Sequence, residues 1–281
     1  MKRLRIYEPD SSIKKGFLLL FPEIFKELKE NSYLTWQLFK RDFTSGYKQY
    51  FMGFFWSLVI PLVTLVTVWV LNRSGIFIIG ESKVPYPLYV LSGMAFWQLF
   101  SGGLIAASNS LVNGSTMINR INFCRKSLVI ASLGQALISF LVQMTLVVFL
   151  FAYYRIIPPL ASVWVPLMII PLLLLALGLG FIFSLLTAVV RDVANALSLF
   201  LSFLVLLTPI LYHRSAGDGI LGIITRYNPL YYLISAPRDM LLFPETVAWK
   251  GFILAAFLSV FVFFNAIRIF HLAESKVTER F

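Results

Sequence analysis

The stretch YLTWQLFKRDFTSGYKQYFMGFFWSLVIP, residues 33–61, decides how the rest of the chain folds. Its first part repeats aromatic residues at a spacing that places them on one face of a helix: Trp36, Phe39, Phe43, Tyr47, Tyr50 and Phe54. Arg41, Ser45 and Lys48 fall on the opposite face. An aromatic face backed by basic residues is typical of a helix that lies in a membrane surface.

The second part of this stretch opens a membrane span. From Phe54 to Leu71 the chain has eighteen residues without a charge, which is about the length needed to cross a bilayer. A helix packed on a soluble core is the alternative, but 59% of the chain is hydrophobic and only 13% is charged, against about 25% charged in soluble domains. The composition therefore predicts an all-α integral membrane protein.

Apolar runs separated by charged loops predict six transmembrane helices. After Phe54–Leu71 they lie within Leu88–Val112, Ser127–Tyr154, Val165–Val190, Ala194–Tyr212 and Gly251–Ile267. The predicted organisation is an N-terminal arm (1–32), an amphipathic interface helix (33–53), a six-helix transmembrane domain (54–267) and a polar tail (268–281).

The connection before the last span contains two short apolar pieces, Ile220–Ile224 and Leu230–Leu242, on either side of Asn228–Pro229. Each piece is too short to cross a bilayer. Together they predict a re-entrant helical hairpin, whose backbone ends must be covered by protein or water.

The distribution of basic residues sets the orientation. If the N-terminus is cytoplasmic, 17 Lys and Arg residues lie in cytoplasmic segments and 7 in external segments. The positive-inside rule then predicts that both termini are cytoplasmic. The formal charge of +11 is explained by this bias; the basic residues are too dispersed for a nucleic-acid groove.

The sequence gives no sign of catalysis on this chain. It has no Gly-Lys dipeptide and therefore no P-loop, and its one cysteine, Cys124, cannot form an internal disulfide. The predicted topology places His213 and His271 on opposite sides of the membrane, which excludes a two-histidine metal site. No charged residue lies in the middle of a predicted span, where a proton-coupled carrier usually needs one. We therefore expect no catalytic residue, metal or cofactor here, and transport driven by a partner.

Several short motifs, in this order, carry a family resemblance: Arg41-Asp42 with Tyr47-Lys48, Gly53-Phe-Phe-Trp56, Tyr86-Pro87, Ser92-Gly93, Ser108-Asn-Ser-Leu-Val112, Ile118-Asn119-Arg120, Val190-Arg-Asp-Val193, Thr208-Pro-Ile-Leu-Tyr212 and Tyr227-Asn-Pro-Leu-Tyr231. With the interface helix and the hairpin, the chain resembles the permease subunit of ABC-2 type exporters. Within that family it is similar to the polysaccharide and polyol-phosphate exporters, which include O-antigen, capsule and teichoic-acid permeases. Cys124 departs from the proline that this family often has before the arginine.

The resemblance implies a homodimer in the bacterial cytoplasmic membrane, bound to two copies of a separate ATPase subunit that holds ATP and Mg. This complex would export a lipid-linked glycan from the cytoplasmic leaflet, in contact with membrane lipids and with no nucleic acid.

The loop Ser115–Lys126 is polar, basic and predicted to be cytoplasmic, so we expect it to be a coupling helix seated on the ATPase; a solvated loop near anionic lipid is the alternative. Arg191-Asp192, at the same face, is interpreted as a local clamp between helices, with a direct ATPase contact as the alternative. The residues assigned to coupling are Arg41, Lys48, Met117, Ile118, Asn119, Arg120, Phe123, Arg125, Arg191 and Asp192. In the interface helix, we expect Trp36, Phe39 and Phe43 to lie in lipid, with Tyr47 on the same aromatic face.

Aromatic rings near the external side could stack on sugar faces along a glycan channel between protomers: Tyr86, Phe96, Trp97, Phe100, Tyr212, Tyr231 and Tyr232. Interface anchoring and helix packing are the alternative roles. The hairpin at Asn228–Pro229 is a candidate external gate. Arg238 and Asp239 at its end are available for a gating ion pair or a substrate phosphate.

Three other functions compete with polysaccharide export. An ABC-2 exporter of drugs or other lipids is disfavoured by the long aromatic interface helix. A membrane-embedded glycosyl- or acyltransferase needs acid/base or metal-binding residues clustered at one interface, which the sequence lacks. A structural scaffold has no need of the basic coupling-like loop.

Overall fold

The computed structural model describes residues 20–48, 84–118, 120, 123–210 and 220–278, with isolated positions between 59 and 70. Regular structure within these residues is helical. The helices are α1 (Leu20–Glu30), α2 (Ser32–Lys48), α3 (Tyr86–Asn113), α4 (Ser115–Ile118), α5 (Lys126–Ala131), α6 (Leu133–Tyr153), α7 (Val165–Val189), α8 (Asp192–Leu207), α9 (Ile220–Tyr227), α10 (Pro229–Leu242) and α11 (Trp249–Thr278).

Within the described residues, four helical segments are long and apolar enough to cross a membrane: Tyr86–Asn113, Lys126–Tyr153, Leu160–Val189 and Trp249–Glu274. They correspond to the predicted second, third, fourth and sixth spans. The predicted first span, Phe54–Leu71, lies largely outside the described residues, although the positions described there are helical. The chain is a multi-pass membrane protein, while the total of six spans and the orientation stay predictions.

The central helix of the bundle is α3, which is apolar on all sides and buried along most of its length. Gly103 lies close to Ala176 and Gly180 lies close to Ala107, so α3 and α7 run in the same direction. α11 packs along the other side of α7. We call the end that holds α9 and α10 the hairpin end, and the end that holds α1, α2 and α4 the arm end.

Two helices end at different places from those predicted. The predicted fifth span reaches Tyr212, but α8 ends at Leu207 because Thr208 precedes Pro209 and adopts an extended conformation, with ψ of 120°. The sequence also predicts a polar tail from Arg268, whereas α11 continues to Thr278. Phe270 explains this continuation, since it is buried and its ring packs 5.0 Å from that of Phe181.

The two short helices that the sequence predicts at the hairpin end are present. Asn228 separates α9 from α10, and its side-chain oxygen accepts a 3.0 Å hydrogen bond from the backbone N–H of Leu230. Asparagine at the N-cap followed by proline at the first helical position is a strong start signal. α10 is buried for most of its length against α11, α7 and α3. Its re-entrant placement in a bilayer stays a prediction.

The link between α6 and α7 is apolar and exposed. Arg155 turns the chain with a φ of 55°, in the left-handed region that non-glycine residues seldom adopt. A short 3₁₀ helix, Leu160–Trp164, follows, and the side chain of Leu160 is 93% exposed. Exposed apolar side chains next to Trp164 are typical of a segment that lies in the membrane interface.

Candidate functional site

The interface helix α2 is seated at the arm end against the start of the third span. Thr35 Oγ1 donates a 2.8 Å hydrogen bond to Ser127 Oγ, and Leu38 is buried. A Cβ atom on Gly134 would lie 2.9 Å from the carbonyl oxygen of Phe39. Because this position has no side chain, the backbone of α2 can lie directly on α6.

The aromatic face of α2 is only partly exposed. Trp36, Phe39 and Phe43 stack in series, with centroid distances of 5.6 and 5.9 Å. Trp36 is 61% exposed, but Phe39 and Phe43 are half-buried. The Phe39 ring packs partly against the start of α6, and the placement of the three rings in lipid stays a prediction. Tyr47 and Lys48 also belong to α2, with side chains outside the described part.

Arg41 lies at the surface of the arm end. Its guanidinium pairs with Asp42 at 2.8 Å, and the Arg41 side chain is 57% exposed. An exposed pair of this kind contributes little to stability. It borders a polar cleft of about 140 Å³ that is also lined by Ser110, Asn113 and Gln135. Arg41 is thus accessible to a partner at the arm end.

The predicted coupling segment, 115–126, has an exposed side and a packed side. Arg120 is exposed, whereas Met117, Ile118 and Phe123 are half-buried and pack against the core. Asn119 lies outside the described residues. Among the assigned residues of this segment that the structure describes, Arg120 is the exposed one.

The end of this segment turns inward. Arg125 Nη1 donates a 2.6 Å hydrogen bond to the backbone carbonyl of Glu274, and burial lowers the pKa of the Arg125 guanidinium. Lys126 is 0% exposed, and its Nζ lies 2.7 Å from Glu274 Oε1 and 3.0 Å from Glu27 Oε2. We call Glu27, Lys126 and Glu274 the Lys126 cluster. Arg125 and Lys126 therefore bind other parts of this chain, which corrects the assignment of Arg125 to an ATPase contact; Lys126 had no assigned role.

The Lys126 cluster could not be found from the sequence, because its members are 99 and 148 positions apart. Ligand atoms of Glu27, His271 and Glu274 lie within 4.8 Å of one another, a separation that a metal ion could bridge. The ammonium group of Lys126 already binds both carboxylates, however, so the arrangement does not fit a cation.

Arg191 lies in the turn between α7 and α8, Asp192 begins α8, and both side chains are exposed. In the part of the chain that the structure describes, neither takes part in an ion pair, so the contacts do not support a clamp between helices. Asp192 lies in the first turn of α8, where the helix dipole favours a carboxylate.

At the hairpin end, Arg238 is 3% exposed and fully engaged by protein groups. It pairs with Asp239 at 2.9 Å and its guanidinium carbon lies 4.1 Å from the centroid of the Tyr89 ring. Its Nη1 donates to the carbonyl oxygen of Pro209 at 3.4 Å. Arg238 therefore joins α10 to α3 and to the turn after α8, which corrects the prediction that it is available to a substrate phosphate.

The aromatic residues assigned to a channel separate into two groups. Phe96, Trp97 and Phe100 are buried in the core of the chain, because α3 is its central helix. We therefore correct their assignment from channel lining to helix packing. Tyr86 and Tyr232 are half-buried, Tyr231 is buried, and Tyr212 lies outside the described residues.

Asn228 and Pro229 shape the hairpin itself. Besides capping α10, Asn228 donates from Nδ2 to Thr208 Oγ1 at 3.1 Å, which ties the break between α9 and α10 to the end of α8. The Tyr232 hydroxyl donates to the backbone carbonyl of Arg226 at 3.0 Å. These bonds hold the two short helices in one fixed arrangement.

Comparisons with known proteins identify the family. A model of the ABC-2 type transporter family matches residues 33–242. The chain is similar to two proteins named O-antigen export system permease protein RfbA from Klebsiella pneumoniae, 25% and 24% identical over 202 residues, or 71% of this chain and 76% of each relative. A protein of the same name from Myxococcus xanthus is 21% identical over 216 residues, or 76% of this chain and 82% of the relative. Because the family match runs from α2 to the end of α10, the chain belongs to the ABC-2 type transporter family.

Proposed function

We propose that this chain is the permease subunit of an ABC exporter that moves a lipid-linked polysaccharide of the O-antigen, capsular or teichoic-acid type. The observation that carries the proposal is the similarity to O-antigen export permeases over about three-quarters of both chains. The membrane would be the bacterial cytoplasmic membrane, which is where a polysaccharide made in the cytoplasm must begin its export.

ATP hydrolysis belongs to a separate subunit in this proposal, with ATP and Mg bound there. The chain has no P-loop, so its own role is to form the path and respond to the partner. Arg41, Arg120, Arg191 and Asp192 are side chains at the arm end that a partner can reach, Asp192 being exposed in the first turn of α8. Two copies of the ATPase would bind there.

We place the contact of the proposed homodimer on α8. This helix has 16 residues, and at about 1.5 Å per residue it covers less than the hydrocarbon thickness of about 30 Å. Only Leu197 and Leu201 are buried in it, whereas Leu199, Phe200, Phe203 and Leu206 are exposed. A second copy of the chain would cover this apolar face, and a polysaccharide path would lie between the two protomers.

A membrane-embedded transferase is the alternative from another class of function. It needs an accessible acid/base or metal site at one membrane face. The one His/Asp/Glu cluster with metal-like spacing in the described residues is closed by Lys126, which supports transport instead.

The test is to purify the chain alone and in complex with its ATPase partner. We expect no ATP hydrolysis from the chain alone, and hydrolysis together with polysaccharide export from the complex. Arg120→Glu should weaken ATPase binding at least about tenfold, since loss of a charge pair at an interface has effects of this order. Lys250→Glu, an exposed charge reversal at the hairpin end, is the matched control. Robust hydrolysis by the chain alone would overturn the proposed division of labour.

A further inference from the structure

The Lys126 cluster lies where three separate parts of the chain meet. Lys126 is the last residue of the coupling segment and the first of α5, Glu27 belongs to α1, and Glu274 lies in the last turns of α11. The ammonium group is buried completely and bonds to one carboxylate from each of the two other helices. One side chain thus connects the coupling segment to both the N-terminal arm and the C-terminal helix.

A second interaction, a hydrogen bond, also joins the coupling segment to α11. Arg125, the preceding residue, donates from Nη1 to the backbone carbonyl of Glu274 at 2.6 Å. His271, one turn earlier on α11, has its Nδ1 3.8 Å from Glu27 Oε2 and 3.7 Å from Glu274 Oε1. Two consecutive residues of the coupling segment are therefore fixed to the same turn of α11.

Stability alone is a weak reason for this arrangement. Moving charges out of water costs about as much as their mutual attraction returns, and apolar side chains of similar volume often serve equally well. Buried ion pairs can instead favour one defined geometry, because a displaced partner leaves a charge unpaired in an apolar site. The Lys126 cluster thus allows one relative position of α1, α5 and α11.

The C-terminal helix extends this constraint across the protein. α11 is a single helix from Trp249 at the hairpin end to Thr278 at the arm end. Near its start, Gly251 lies directly against the ring of Tyr232 in α10. A movement of Lys126 would therefore move a rigid rod whose far end contacts the hairpin.

We propose that Lys126 is a positioning residue, which transmits movement of the coupling segment to α1 and α11 when the partner ATPase hydrolyses ATP. The inference rests on the proposed function, since it needs an ATPase bound at the arm end. It predicts that neutralising the cluster separates ATP hydrolysis from export, although the protein still folds and assembles.

The decisive variant is the neutral triple variant Glu27→Gln, Lys126→Met, Glu274→Gln, studied as the full complex with its ATPase. We expect its thermal midpoint and assembly to match the wild type and its ATP hydrolysis to stay within about twofold, while polysaccharide export falls about tenfold, in the range of typical coupling energies. Lys126→Arg, which keeps the cation, should retain export. Lys29→Met removes an exposed lysine from α1 and is the matched control.

Each outcome of this experiment either supports or contradicts the inference about Lys126. If the neutral variant assembles and either exports like the wild type or loses ATP hydrolysis together with export, the inference is wrong. If the neutral variant does not assemble, it is compared with the triple variant Glu27→Gln, Lys126→Glu, Glu274→Lys, in which the Lys126–Glu274 pair is reversed. Assembly with export supports the inference; assembly with hydrolysis but no export, or no assembly, overturns it. If the wild-type complex itself shows no ATP-dependent export, the proposed function has failed rather than this inference.

Discussion

Arg238 shows, at the scale of a residue, how this protein keeps a charge inside an apolar bundle. A buried guanidinium is tolerated only when its donors are satisfied. Asp239 supplies the countercharge, Tyr89 supplies the face of its ring, and Pro209 supplies a carbonyl oxygen left free where α8 ends. The sequence predicts a charge at the end of the hairpin, but the Tyr89 and Pro209 contacts depend on tertiary packing.

Arg238→Gln should destabilise the protein strongly. It leaves the largely buried carboxylate of Asp239 without its cation, and breaking a buried pair in this way costs about 3 kcal/mol or more. We expect a clear fall in the thermal midpoint of the purified protein in detergent, followed by tryptophan fluorescence. The double variant Arg238→Gln, Asp239→Asn should recover most of the loss, because no charge is then left unpaired. An unchanged midpoint for Arg238→Gln would show that the pair contributes nothing.

At the scale of an element, α2 shows what periodicity can and cannot predict. The aromatic spacing predicts a helix over this segment, and α2 runs from Ser32 to Lys48. The same spacing does not show that Thr35 and Leu38 face inward, because their position depends on Ser127 and Gly134, which are distant in sequence. Beside its aromatic face, α2 therefore has a second, narrower face that packs on the bundle and that the aromatic spacing does not predict.

Gly134→Ala should loosen α2 from the bundle. The added methyl group would lie 2.9 Å from the Phe39 carbonyl oxygen and 3.2 Å from the Phe43 backbone nitrogen, and a backbone cannot rotate away as a side chain can. Overpacking of this kind costs about 1–3 kcal/mol. We expect faster proteolytic cleavage near α2, measured on protein in lipid nanodiscs. Gly102→Ala is the control, since its methyl group would meet only Ala136 Cβ at 3.9 Å; equal cleavage of both variants would contradict the close seating.

At the scale of the whole molecule, the sequence predicts local features well and long-range ones poorly. Uncharged runs mark the four described spans, and Asn228–Pro229 marks the break between α9 and α10. The burial of Phe96 and Lys126 could not be predicted from the sequence. An aromatic or basic residue near the end of a predicted span gives the same sequence pattern whether it faces a partner, lipid or the core. Burial of these two depends on which helix is central and on where α1 and α11 meet.

The proposed homodimer predicts crosslinking along α8. Cysteines introduced at Leu199, Phe203 and Leu206 in turn should give self-crosslinked dimers at one or more positions, because residues near a two-fold axis meet their own copies. Leu254→Cys, on an exposed face of α11, should give none. The native Cys124 is a silent background, since it is buried and burial raises its pKa to about 11, which leaves the thiol protonated at neutral pH. Crosslinking at Leu254 alone would place the dimer contact elsewhere.

The exposed apolar link between α6 and α7 also bears on the bilayer in which the protein works. We expect Leu160 to face the acyl-chain side of the membrane interface and the exposed Arg155, just before it, to contact water or headgroups. Because these opposing demands lie a few residues apart, we expect them to set the depth of the hairpin end in the bilayer. A thicker membrane would submerge Arg155 and a thinner one would strand Leu160, and such mismatch costs fractions of a kcal/mol per Å. We therefore expect the stability of this protein in a bilayer to depend on the length of the lipid acyl chains.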